Sequence, residues 1–142
     1  MMTMKMLPWL PRQGVLAAIA FVLLGGAPAA AQSPSGLFEV ARLVVCADVQ
    51  NRSPVDIRHV FPAEEQTVFC FLEAQDIQET TEVKMVWYHE ETELARVSLT
   101  VGQGPRWRTY SSKEIMGRTG NWKVYLVDNA DNILASVQFA IE

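Results

Sequence analysis

Trp122-Lys123-Val124-Tyr125-Leu126-Val127, followed by Ile133-Leu134-Ala135-Ser136-Val137-Gln138-Phe139-Ala140-Ile141, decides the fold. In both runs apolar side chains return at every second residue, the period of a strand with one face in a core. Asn129-Ala130-Asp131-Asn132 between them is turn chemistry, because short Asx side chains satisfy their own backbone and tolerate positive φ. Opened by Gly120, the unit reads as the closing hairpin of an immunoglobulin-like domain.

The same period runs upstream. Ala95, Val97, Leu99 and Val101 alternate with Arg96, Ser98 and Thr100, and Val83, Met85 and Trp87 with Lys84, Val86 and Tyr88. Val40 to Gln50 alternates as well. Thr67 to Ala74, with Val-Phe-Cys-Phe-Leu inside it, is a short apolar run that fits a strand covered on both faces. Arg106 to Tyr110 completes the set. Turns are expected at Asn51-Arg52-Ser53-Pro54, Glu90 to Glu93, Gly102-Gln103-Gly104-Pro105 and Gly117 to Gly120. Ser112 to Met116 suits one helical turn capped by Ser111 or Ser112. About seven short strands in one domain predict an all-β antiparallel sandwich over residues 39–142, with an open barrel as the alternative.

Residues 1–31 carry a different signature. Lys5 and Arg12 precede the apolar run Gly14 to Leu24, and Ala29-Ala30-Ala31 supplies small side chains before Gln32. This order predicts an export signal cut near Ala31, hence a periplasmic or secreted protein. The apolar core is about half of the ~20 residues that a membrane span needs, so no stable span is expected after cleavage. Residues 32–38 are expected to form a flexible lead-in. The signal takes Lys5 and Arg12 with it, leaving 10 Lys and Arg against 16 Asp and Glu, a net charge of −6. A net acidic chain is a poor general partner for nucleic acid, which needs a basic footprint.

Cys46 and Cys70, in an oxidising compartment with no third thiol, are expected to form a disulfide. Their separation by 23 residues argues against a redox-active pair. No metal and no cofactor is expected. The cysteines are spoken for, and Glu90, Glu91 and Glu93 lack the alternating Asp/Asn-Gly pattern of a calcium loop. Only His59 and His89 are present, and no serine lies in a nucleophile-elbow context, so no catalytic triad is expected.

The candidate binding residues sit on the polar side of four strands. Arg106, Arg108 and Tyr110 share one side of their strand, and Trp107 and Thr109 the other. Lys84 and Tyr88, Arg96, and Lys123 and Tyr125 are the outward residues of three further strands. If the strand order gathers them, they make a basic, aromatic sheet face for an anionic or glycan ligand, with forked hydrogen bonds from arginine and stacking on tyrosine. Otherwise, arginine on tyrosine across strands simply stabilises a wet face. Trp87, Trp107 and Trp122 fall on the apolar side and are expected as core anchors.

Asn51-Arg52-Ser53-Pro54-Val55, Val86-Trp87-Tyr88-His89, Pro105-Arg106-Trp107-Arg108-Thr109-Tyr110-Ser111-Ser112-Lys113 and Gly120-Asn121-Trp122-Lys123-Val124 resemble a bacterial family known only as domain of unknown function 2914. The resemblance runs from about Val40 to the C-terminus. It implies an envelope-associated β domain with no assigned activity. Members often carry a histidine two residues before the tryptophan that matches Trp87, where this chain has Met85. The expected function is therefore an exported, non-catalytic binding module for an envelope ligand or protein partner. A structural subunit pairing through an edge strand is the alternative, and a small hydrolase or redox enzyme the least favoured reading.

Overall fold

The computed structural model describes residues 36–142; the expected signal, residues 1–31, lies outside the described residues. Nine strands are present among the described residues: β1 (Glu39–Gln50), β2 (Ser53–Ile57), β3 (Val60–Phe61), β4 (Thr67–Ile77), β5 (Thr81–His89), β6 (Thr92–Val101), β7 (Gly104–Glu114), β8 (Gly120–Val127) and β9 (Ile133–Ile141). They form a sandwich of two sheets, one ordered β2-β1-β4-β7 and the other β3-β9-β8-β5-β6. All pairings are antiparallel except the short β3–β9 pair.

The seven expected strands are all found. β2 and β3 are additional, and each escapes a periodicity reading for a physical reason. β2 carries Pro54 and leaves Val55 and Ile57 exposed, so it has no buried stripe. β3 is two residues long and exists because Phe61 docks beside Ile141. The expected helical turn at Ser112–Met116 is absent. Ser112, Lys113 and Glu114 instead continue β7, paired with Phe69, Val68 and Thr67 of the equally long β4. Of the expected lead-in, residues 32–35 lie outside the described residues, and Leu37 and Phe38 already belong to the folded domain. Phe38 is buried in the core, and Gln78 N donates to the Leu37 carbonyl at 2.8 Å.

The core lies between the sheets. Val83, Met85 and Trp87 of β5 and Trp122, Val124 and Leu126 of β8 face Val68, Cys70, Leu72 and Ala74 of β4. Phe139 of β9 ties the aromatic groups together. Its ring stacks on Trp122 at 5.7 Å and meets Trp87 and Phe61 edge-on at 6.3 and 5.8 Å. Burying an indole of this size contributes roughly 5 kcal/mol at ~25 cal/mol per Å². Trp87 Nε1 also donates to Ser111 Oγ at 3.1 Å, and that hydroxyl donates to Met85 Sδ at 3.0 Å. The bond fastens β5 of one sheet to β7 of the other.

The expected disulfide is not formed; both thiols are free and buried. The register explains why. Val45 pairs with Cys70, and Cys46 with Phe69. Directly paired residues point to one face, so the cysteines, one step out of register, point to opposite faces. Cys70 enters the core, whereas Cys46 lies on the outer face beside Ile57 of β2. A bridge would need the strands to slip. Burial raises both thiol pKa values, most strongly for Cys70. The folded pKa exceeds the unfolded one, so the Cys70 contribution to stability is present at neutral pH and declines as pH rises above ~8.5. Native protein should therefore react with a thiol reagent at neither cysteine, and denatured protein at both, with a melting temperature insensitive to reductant. A denatured protein with no titratable thiol would overturn this assignment.

Candidate functional site

Strand order divides the expected basic-aromatic face in two. β7 belongs to the first sheet, and β5, β6 and β8 to the second. Outer faces of a sandwich look in opposite directions. Arg106, Arg108 and Tyr110 are thus separated from Lys84, Tyr88, Arg96, Lys123 and Tyr125 by the whole core. The cause is Gly102-Gln103. It resembles a hairpin turn but carries the chain from β6 in one sheet to β7 in the other.

On the second sheet Arg96, Tyr88, Tyr125 and Lys123 have partners on their own face. The Arg96 guanidinium is held by Glu93 at 2.8 Å and Asp131 at 2.7 Å. Tyr88 and Tyr125 meet edge-on at 5.5 Å, and the Lys123 ammonium lies 5.2 Å from the Tyr125 ring centre. Lys84 pairs in register with Ser98 and Val127. Such contacts stabilise a wet sheet face, and those of Arg96 leave its charge already shared.

The first sheet differs. Across it, Arg42 pairs with Glu73 and Glu73 with Arg108, while Val44 pairs with Phe71 and Phe71 with Tyr110. Phe71 points outward yet is only 1% exposed. Arg42 of β1 lies over its ring, and Arg52 of the β1–β2 turn lines the same cleft. Arg52 follows Arg42 by ten residues, roughly 33 Å along a straight strand at ~3.3 Å per residue. Arg108 Nη1 nevertheless donates to the Arg52 carbonyl at 3.3 Å. After its last pairing to β4 at Cys46, β1 must coil and bring the hairpin tip back over the outer face of β4 and β7. At the tip, Asn51 and Arg52 both have left-handed φ, 50° and 57°, as a two-residue hairpin turn with matching twist requires.

The folded-back tip closes one side of an open cleft of about 310 Å³, lined by Arg52, Phe71, Arg106, Trp107, Arg108, Thr109 and Tyr110. Arg108 is the partly neutralised member. Its Nε lies 3.4 Å from Glu73 Oε2, close enough for charge attraction but without hydrogen-bond alignment, so that buried N–H has no partner. Among the described residues neither Arg52 nor Arg106 has a carboxylate within 4.0 Å. The Arg42 guanidinium sits 5.4 Å from the centre of the Phe71 ring, and the Phe69 and Tyr110 rings lie 6.0 Å apart. A cleft of this make-up can hold a negatively charged group by forked hydrogen bonds against an aromatic floor.

Two residues are placed differently from the sequence reading. Trp107, expected as a buried anchor, is 39% exposed. It has the same side-chain parity as Ser111, but β7 is an edge strand with one neighbour, and its indole closes over Gly102 at the open margin. A methyl group on Gly102 would overlap that ring, which is why the crossover begins with glycine. Arg52, read only as a turn residue, is part of the cleft. Nothing local marks it, because its position depends on the coiling of β1.

The histidines lie elsewhere. His59 Nδ1 is 3.3 Å from the Gln138 carbonyl, and His89 Nε2 is 2.7 Å from that of Thr119, with its ring against Trp122. In the β5–β6 turn, Glu90 Oε1 accepts from Asn121 N at 3.0 Å. Among the described residues no group of three or more His, Cys, Asp or Glu side chains is placed to hold a metal ion.

No curated protein matches the chain. Solved structures similar to it include a β-glucosidase from Kluyveromyces marxianus, at 8% identity and a TM-score of 0.44 over 74% of this chain and 14% of that one. Two crystal structures of a β-glucosidase from Listeria innocua, one a mutant with laminaribiose and one with glucose, show 5% and 6% identity and TM-scores of 0.46 and 0.44. They cover 74% and 73% of this chain, which spans only 16% and 15% of theirs. The resemblance read in the sequence is met over residues 80–141, a span that holds β5 to β9 and leaves out Asn51–Val55, and that matches the family described as "Protein of unknown function (DUF2914)".

Proposed function

We propose that this chain is an exported, non-catalytic binding module that holds an anionic ligand in the cleft formed by Arg52, Arg106, Arg108 and Tyr110. One observation carries the reading: three arginines from two distant segments line a single cleft with an aromatic floor, and among the described residues Glu73 is the one acid paired with any of them. A chain of net charge −4 has no reason of bulk composition to gather cations there. The charged, apolar and small-residue order of residues 1–31 supports export. The engagement of both histidines with backbone carbonyls, away from the cleft, supports binding rather than hydrolysis.

Calorimetric titration with pyrophosphate and with citrate tests this reading. Binding is expected to weaken about tenfold when salt is raised from low to high ionic strength. Arg106→Ala with Arg108→Ala should abolish it while the melting temperature changes by no more than a few degrees. Salt-independent binding, or unchanged affinity in the double variant, would refute it.

A further inference from the structure

We infer that the anion held in this cleft is an acidic peptide in extended form, added as a new strand along the free edge of β7; the inference rests on the anion-binding reading above. β7 ends its sheet, and its 11 residues make it the longest of the four edge strands. β2 and β3 have five and two residues, and β6 has ten. All its strand pairing is with β4, and among the described residues no backbone hydrogen bond reaches its other side. An open edge of this kind is a template for β-strand addition.

Charge and shape choose the occupant. From Arg106 to Tyr110 the edge carries two arginines and no acid, whereas β6 carries both signs, tied together as Glu93 and Arg96. The cleft follows five consecutive residues of β7. That is roughly 17 Å of strand, longer than a lone phosphate or carboxylate group can use. Alternate residues of an added strand lie about 5 Å from their partners on β7, so carboxylates two residues apart would meet Arg106 and Arg108. Arg52 lines the same cleft from the hairpin tip, on the β4 side of those arginines. On the other side of the added strand, an apolar residue would cover the exposed part of Trp107. A second copy of this chain fits poorly, since β7 against β7 brings the arginines of both copies together.

Fluorescence anisotropy with a labelled peptide of alternating aspartate and valine tests the inference. It should bind the purified protein at least about tenfold more tightly than the same residues in block order, or than a version N-methylated at the amides facing β7. Arg106→Ala with Arg108→Ala should remove that binding. If the N-methylated or block peptide, pyrophosphate or phosphatidylglycerol vesicles bind as tightly and with the same arginine dependence, strand addition is wrong and the anion site stands. If no probe binds, or all bind regardless of the arginines, both readings fall.

Discussion

Trp87→Ala should lower the unfolding free energy by about 3–5 kcal/mol, the largest effect expected from a single core substitution. The side chain is fully buried and packs edge-on against Phe139. Its loss forfeits the transfer of an indole from water and opens a cavity that rigid neighbouring strands cannot fill. It also removes the Nε1 donor to Ser111, the buried polar residue through which β5 of one sheet holds β7 of the other. A domain of this size has only ~5–15 kcal/mol to lose. Trp87→Phe keeps most of the packing but not the donor, and should cost about half as much. Urea unfolding of both variants checks the order. A loss below about 1 kcal/mol for the alanine variant would mean that the sheets are not fastened here.

The second large effect is on binding. Arg106→Glu with Arg108→Glu changes the local charge by four and should weaken anion binding about 100-fold or more. Lys84→Glu with Lys123→Glu makes the same change in net charge on the opposite face, and should alter affinity by less than about threefold. This comparison separates a local site from general attraction. Glutamate at position 108 would face Glu73 across the strands, so a stability cost of about 1 kcal/mol is expected and must be measured alongside. Arg108→Gln retains a polar donor without the charge and should fall between the two pairs in affinity.

Much of the fold was legible because one-sided strands repeat at period two. Trp122, Val124 and Leu126 announce their inward face, and the compact run at Val68–Leu72 announces a strand covered on both sides. Side-chain parity on β7 was equally legible: Arg106, Arg108 and Tyr110 do stand apart from Ser111. Sheet membership was not. The Gly102-Gln103 link has the composition of a hairpin turn, and only the rest of the fold shows that it crosses between sheets. The cysteines failed for a related reason. Whether Cys46 and Cys70 share a face depends on a register one residue fine, set by the whole β1–β4 pairing. Trp107 lost its expected burial because an edge strand offers its inward side chain only partial cover. Arg52 entered the site through the coiling of β1, a long-range feature with no local signature.

The cleft therefore depends on both halves of the chain. The family match covers the strand that carries Arg106, Arg108 and Tyr110 but not the hairpin that supplies Arg52. The edge of β7 is open and basic, its floor is aromatic, and the folded-back β1–β2 tip lines the same cleft. The opposite face, by contrast, has Arg96 already shared between two carboxylates.

Titrating the ¹⁵N-labelled protein with pyrophosphate and following backbone amide shifts tests the location of the site most directly. The largest shifts should fall on Arg52, Phe71 and Arg106 to Tyr110, with saturation and with none of comparable size at Tyr88, Arg96, Lys123 or Tyr125. Shifts concentrated on that second group, or spread evenly over every exposed cation, would contradict the assignment of the Arg52–Arg106–Arg108 cleft as the binding site.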